Sequence, residues 1–158
     1  MTMGAQAGRE ELSLNDAASH LLEECRTVVP GIQALFGFQL IAVFTTGFNE
    51  QLSPLERMIH LTAIVLLTIA IALVMAPAAL HRQTPLAVSR RFIRISSRLL
   101  MASMAPLAVG LCLDIYLVAR VIVGTRAVAV TVAMFLLAVF FVLWLLLPRL
   151  SRTRSIDS

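Results

Sequence analysis

The chain has 158 residues, 59% of them hydrophobic and only 14% charged, far below the roughly one-quarter charged content of soluble domains. Its formal charge of +4 comes from thirteen arginines against nine acids, with no lysine, and the aromatic-flanked basic surface that a nucleic-acid binder presents to water is missing. Cys25 and Cys112 form no C-x-x-C pair and have no histidine at zinc-ligand spacing, so neither a disulfide, a metal nor a cofactor is expected.

The apolar residues fall in long runs, and a run of about 18 or more uncharged residues reads as a membrane span, because roughly 20 helical residues cross the hydrocarbon. Residues 1–12 are small and polar and are expected to be disordered. The five acids and two arginines within residues 1–30 are the wrong balance for a secretory signal. Ser13 and Asp16 in SLND have the spacing of a capping box. Beyond them Leu14, Ala17, Ala18, Leu21, Leu22, Cys25, Val28 and Val29 recur at three- and four-residue steps, which predicts an amphipathic helix over 13–29 lying on the membrane surface.

Pro30 and Gly31 are the predicted hinge between that helix and the first span, because proline lacks an N–H and fits only the first turn of a helix. Four spans are predicted, at about 31–48, 58–80, 99–123 and 127–147. NEQLSPLER forms a polar turn between the first two, and a basic tail occupies 149–158. The expected fold is all-α: an integral membrane four-helix bundle preceded by the surface helix. With four spans, ten arginines fall on one side and three on the other, which places both termini in the cytoplasm by the positive-inside rule.

Few polar residues are available for chemistry. Asp114 is the only acid inside an apolar run, and a charge near mid-helix costs about 2.5–3.5 kcal/mol on insertion scales. Ala102, Pro106 and Gly110, stepping back from it by fours, form a small-residue stripe that lets another helix approach. Asp114 is therefore expected to face the bundle interior, either as a protonatable carboxyl for ion coupling or as a hydrated or hydrogen-bonded acid near the outer interface. His81 and Glu24 are the candidate coupling groups on the cytoplasmic side.

Arg120 is expected to reach outer headgroups. Gln33 and Gln39 call for hydrogen-bond partners across helices. Glu23 and Glu24 give the surface helix an acidic face, unlike helices that bind anionic lipid, and are expected to dock on the arginine-rich segment holding Arg82, Arg90, Arg91, Arg94 and Arg98. Arg26 belongs with these structural polar residues. Neither a nucleophile–base pair nor a glycine-rich phosphate loop is present, so no enzymatic activity is expected.

LLEECRTVVPGIQALF, together with PAALHR at 77–82 and the spacing of the spans, resembles a family of short bacterial membrane proteins with no established reaction. The pattern LL-x-E-x-R followed by PG-x-Q-x-LF falls on Glu24, Arg26, Pro30, Gly31, Gln33, Leu35 and Phe36; the PA and HR pairs fall on Pro77, Ala78, His81 and Arg82. The likeness covers most of residues 20–148. It implies a four-span protein of the bacterial cytoplasmic membrane, and a sodium/proton antiporter label carried by some members implies ion transport. The leading expectation is a non-enzymatic structural or interaction component, with the lipid bilayer and a second copy or another membrane protein as partners and no nucleic acid. The alternative is a small oligomeric cation/proton transporter using Asp114.

Overall fold

The computed structural model describes residues 2–83 and 90–146; the basic tail and most of the segment between the second and third spans lie outside them. Helix α1 runs over Thr2–Val43, α2 over Thr46–Gln51, α3 over Pro54–Gln83, α4 over Arg90–Val123 and α5 over Arg126–Phe141, continuing into a π-helical turn at Val142–Leu146. Among the described residues there is no strand. Within the described residues, four stretches are long and apolar enough to cross a membrane: Ser13–Val43, Pro54–Arg82, Arg90–Val123 and Arg126–Trp144. The protein is thus an all-α, multi-pass bundle, in which α3 packs mainly on α4, α5 on α4, and α1 on α3 and more lightly on α4.

The packing follows one periodicity. On α3 the buried residues are Glu56, His60, Ala63, Leu67, Ala70, Val74 and Pro77, spaced alternately by four and three. On α4 Ser96, Leu100, Ser103, Gly110 and Leu117 are buried on the same alternation and Ala108 and Cys112 beside it, with half-buried Leu107 and Asp114 completing the series. On α1 Ala18, Cys25, Ile32 and Gln39 are buried at sevenfold intervals. A mean step of 3.5 residues keeps a seam facing its neighbour along the whole length of slightly supercoiled helices. Cys25, Ile32, Leu67, Val74 and Leu100 form the apolar centre.

Away from the seam the surface is apolar: Phe38, Phe44, Ile122 and Phe135 are among its exposed residues, as expected of faces solvated by acyl chains. The exposed hydroxyls of Thr62, Thr68 and Thr131 donate to the carbonyls of Met58, Ile64 and Ala127 at 2.8–2.9 Å, which satisfies a polar group that hydrocarbon cannot.

Two expectations for the N-terminal part are corrected. The chain is helical from Thr2, not disordered to residue 12, and Ser13 lies inside α1 instead of capping it. Ala5, Gln6, Ala7, Arg9, Glu10, Glu11 and Leu12 are mostly strong helix formers, outweighing Gly4 and Gly8. The helix also passes through Pro30 and Gly31 without a break, so they are no corner, and residues 13–29 form no separate helix. The stripe Ala18–Cys25 keeps its phase across Pro30 to Ile32 and Gln39, so one face of one helix packs on the bundle. The proline removes a single helical hydrogen bond, and its ring sits on the exposed side. The first apolar helix ends at Val43, where the spans predicted to continue to 48 give way to the turn Phe44–Thr45 and α2.

Gly110 marks the closest approach of α4 to α3. A Cβ placed there would overlap Leu67 Cδ1 and lie 3.5 Å from the Ala63 carbonyl oxygen, and Leu67 is itself fully buried. Of the small-residue stripe, Ala102 is exposed and Pro106 half-buried, since the seam follows the 3.5-residue alternation and steps of four drift off it. Gly110→Val should therefore cost about 1–3 kcal/mol of overpacking, read as a lowered thermal midpoint in detergent, whereas Ala102→Val should stay within about 0.5 kcal/mol. Equal losses at the two positions would contradict this seam.

Candidate functional site

At the end of the bundle where α1 leads into α2 and α4 into α5, the seam turns polar. Its outer rim is built on the start of α3. Ser53 precedes Pro54 at the first helical position, and Glu56 lies three residues on: the Ser53 N–H and Oγ donate to Glu56 Oε2 at 2.9 and 2.7 Å, and the Glu56 N–H points back at Ser53 Oγ at 3.4 Å. This is a reciprocal capping box with proline where its missing N–H costs nothing. Arg57 ties α2 to it, donating from Nε to the Leu52 carbonyl at 3.0 Å and from Nη2 to that of Asn49 at 2.7 Å, a cation on carbonyls that α2 leaves open at its end.

Glu56 is buried, and Arg120 Nε lies 3.2 Å from its Oε1. The pair is close enough for an ion pair, yet neither atom is aligned for a hydrogen bond. Arg120 is steadied from its own helix end, where it donates to the Gly124 carbonyl. Gly124 has φ +75° and its N–H bonds the Arg120 carbonyl at 3.0 Å; the left-handed residue closes α4 and lets α5 turn back after two residues.

One turn deeper, three helices meet at Gln39, Asp114 and His60. The Gln39 amide donates to Asp114 Oδ2, joining α1 to α4. His60 Nε2 lies 3.1 Å from the Gln39 carbonyl oxygen; a carbonyl only accepts, so Nε2 carries the proton and Nδ1 is the acceptor in the neutral ring. Phe48 of α2 sets its ring edge-on to His60 at 5.1 Å between centroids. Gln39 and His60 are each 6% exposed, which makes these contacts binding on the packing, and Gln39 Oε1 is buried without a partner. A cleft of about 630 Å³ opens beside them between α1 and α4, with α2 at its end. Asp114, Gln39 and His60 form its polar wall, with Thr45 and Gln51 at the α2 end; Phe38, Leu111 and Val118 are typical of the rest.

Of the residues singled out in the sequence, this site unites Asp114, Gln39 and Arg120. Arg120, expected to reach headgroups, has a side chain 28% exposed and pairs with the buried Glu56 carboxylate. His81 and Glu24 are not brought to Asp114. His81 is 21 residues from His60 on α3, about 31 Å at 1.5 Å per residue, roughly the thickness of the hydrocarbon. It is exposed and 5.7 Å from the ring of Phe92.

Glu23, Glu24, Arg26, Gln33 and Arg82 are exposed as well. Gln33 thus bridges no helices, being off the seam that holds Gln39. Among the described residues, Glu23 and Glu24 form no ion pair with Arg91, Arg94 or Arg98. No three His, Cys, Asp or Glu among the described residues converge as a metal would require. The functional residues that sequence reasoning passed over are Ser53, Glu56, Arg57 and His60. Their signal was present: S-P-L-E is a capping box with proline at the first helical position, and Glu56 and His60 share the phase of Ala63 and Leu67.

Glu56 and Arg120 should be energetically coupled. Arg120→Met strands a buried carboxylate and should lower stability by several kcal/mol, about 3–5 for fully buried pairs and less here because Arg120 is partly open to solvent. Adding Glu56→Gln should recover part of the loss, giving a coupling of about 1–3 kcal/mol in a double-mutant cycle of unfolding in detergent. Additive losses would contradict the pairing.

No characterised protein and no solved structure matches the chain. A family match covers residues 10–148, and so takes in all four apolar helices and every residue of the site. On that match the chain, a multi-pass membrane protein, belongs to the family of unknown function DUF6328.

Proposed function

We propose that this is a non-enzymatic protein of the bacterial cytoplasmic membrane, with both termini in the cytoplasm, that exchanges a cation for a proton at Asp114. One observation carries the reading: a carboxyl group sits between apolar helices, bonded to the Gln39 amide and bordering an open cleft. A carboxyl in such a place is stabilised either by a proton or by a cation, and alternation between the two is the elementary step of exchange. The polar groups suit binding better than catalysis. His60 faces a backbone carbonyl and Asp114 a primary amide, and neither activates a nucleophile. Four spans leave little room for a pathway within one chain, so the working unit is an oligomer.

A structural role is the second reading. It is favoured by the fact that Gln39, Asp114, Glu56, Arg120 and His60 all find contacts inside the chain, as a clasp between helices would require. The two readings separate in reconstituted vesicles loaded with a pH-sensitive dye. Exchange predicts that an added cation gradient changes internal pH, and that Asp114→Asn abolishes the change while the variant stays folded. Absence of proton movement with sodium, potassium and organic cations alike would sink the exchange reading in favour of the clasp.

A further inference from the structure

We propose that the cleft between α1 and α4 binds a lipophilic organic monocation, with its charge at Asp114 and its apolar body against the aliphatic and aromatic walls. The volume, about 630 Å³, lies within the roughly 300–1,000 Å³ of pockets that take drug-sized molecules. Its walls are mostly carbon, from residues such as Leu35, Phe38, Leu111, Val118 and Ile122. An alkali ion entering it would need its hydration shell replaced by a cage of oxygens, and the apolar side chains that make up most of the wall supply none. A large cation with delocalised charge is weakly hydrated and needs no such cage, and Phe38 and Phe48 line the cleft, aromatic rings of the kind whose faces attract cations.

The charges around the cleft select the sign. From α3 come His60, Glu56 and Arg57, the last held on the Leu52 and Asn49 carbonyls, from α4 Arg120, from α5 Arg126 near Glu56, and from α2 the exposed Glu50; α1 contributes the uncharged Gln39. Glu56 and Arg120 neutralise each other as a pair. Asp114 is the carboxyl on the cleft wall, and its hydrogen-bond partner is the uncharged Gln39 amide. Gln39 Oε1, buried and without a partner, adds a negative dipole end beside it. Access is lateral: Phe38 and Ile122 line the cleft and are 70% and 76% exposed, so the opening between α1 and α4 faces the membrane, where a lipophilic cation concentrates.

Binding at this cleft specifies the cation of the exchange reading and rests on it only for turnover. The probe is tetraphenylphosphonium, with tetraphenylborate as the anion of matching shape, measured by equilibrium dialysis on the full chain in lipid nanodiscs. Saturable binding of the phosphonium alone is expected, weakening as pH falls and Asp114 takes a proton. Asp114→Asn should weaken it at least about tenfold. Ala42→Phe, which narrows the cleft from its α1 wall and keeps the carboxyl, should weaken it similarly, with both variants checked for monodispersity and a cooperative thermal transition.

Equal, unsaturable uptake of both ions would mark the cleft as an acyl-chain site and overturn the proposal, as would phosphonium binding untouched by Ala42→Phe. Sodium-driven proton movement without phosphonium binding overturns the organic-cation site and leaves exchange standing. Phosphonium binding without proton movement leaves the site standing and removes exchange.

Discussion

A carboxylate placed among acyl chains needs a donor that travels with it, and the Gln39 amide is that donor for Asp114. Because Gln39 belongs to α1 and Asp114 to α4, the bond fixes where the first helix sits along a bundle whose main contact is between α3 and α4. His60 secures the same position from α3 by donating to the Gln39 backbone. Three helices are thereby held in one axial register by side chains whose alternative is an unsatisfied polar group in hydrocarbon, which costs several kcal/mol. Apolar contacts between helices cannot do this alone, since lipid tails offer them equivalent surroundings.

The seam explains why the polar cluster sits at one end. From Ala63 to Pro77 the α3 side of the seam is apolar, and Gly110 lets α4 close onto it. Toward the start of α3 the same heptad positions become His60 and Glu56. The bundle can carry polar residues there because the helix ends supply what the middle of a membrane helix lacks: a capping serine, open carbonyls for Arg57, and a turn at Gly124 that holds Arg120. Loop chemistry and buried charge are therefore one structure. The capping box that starts α3 also orients the carboxylate that Arg120 needs.

Much of this was legible in the sequence, and the failures have a common physical cause. Run lengths and hydropathy were enough for four membrane helices, because hydrocarbon imposes its thickness on the chain. Asp114 and Gln39 stood out because polar atoms there must find partners. Pro30 misled because it was read as a local breaker, whereas the stripe from Ala18 through Cys25 to Ile32 carries on in phase across it, and packing along α3 outweighs one missing hydrogen bond. Glu56 and His60 were overlooked because they sit beside a polar turn and look solvated; only the seven-residue phase shared with Ala63, Leu67 and Ala70 places them inside. What no periodicity could reveal is that Gln39 chooses Asp114 and Arg120 chooses Glu56, since those pairings depend on the axial register of separate helices.

That register also sets the electrostatics of the cleft. Arg120 lies only six residues from Asp114 on α4, and a guanidinium free to swing inward would cancel the carboxylate and leave the cleft neutral. It is held outward by two contacts, the Glu56 carboxylate and the Gly124 carbonyl, while Glu56 is itself locked by Ser53. The Glu56–Arg120 pair therefore removes a competing cation from the neighbourhood of Asp114, besides joining α3 to α4. Keeping Arg120 away leaves Asp114 with the uncharged Gln39 amide as its hydrogen-bond partner on the wall of the cleft.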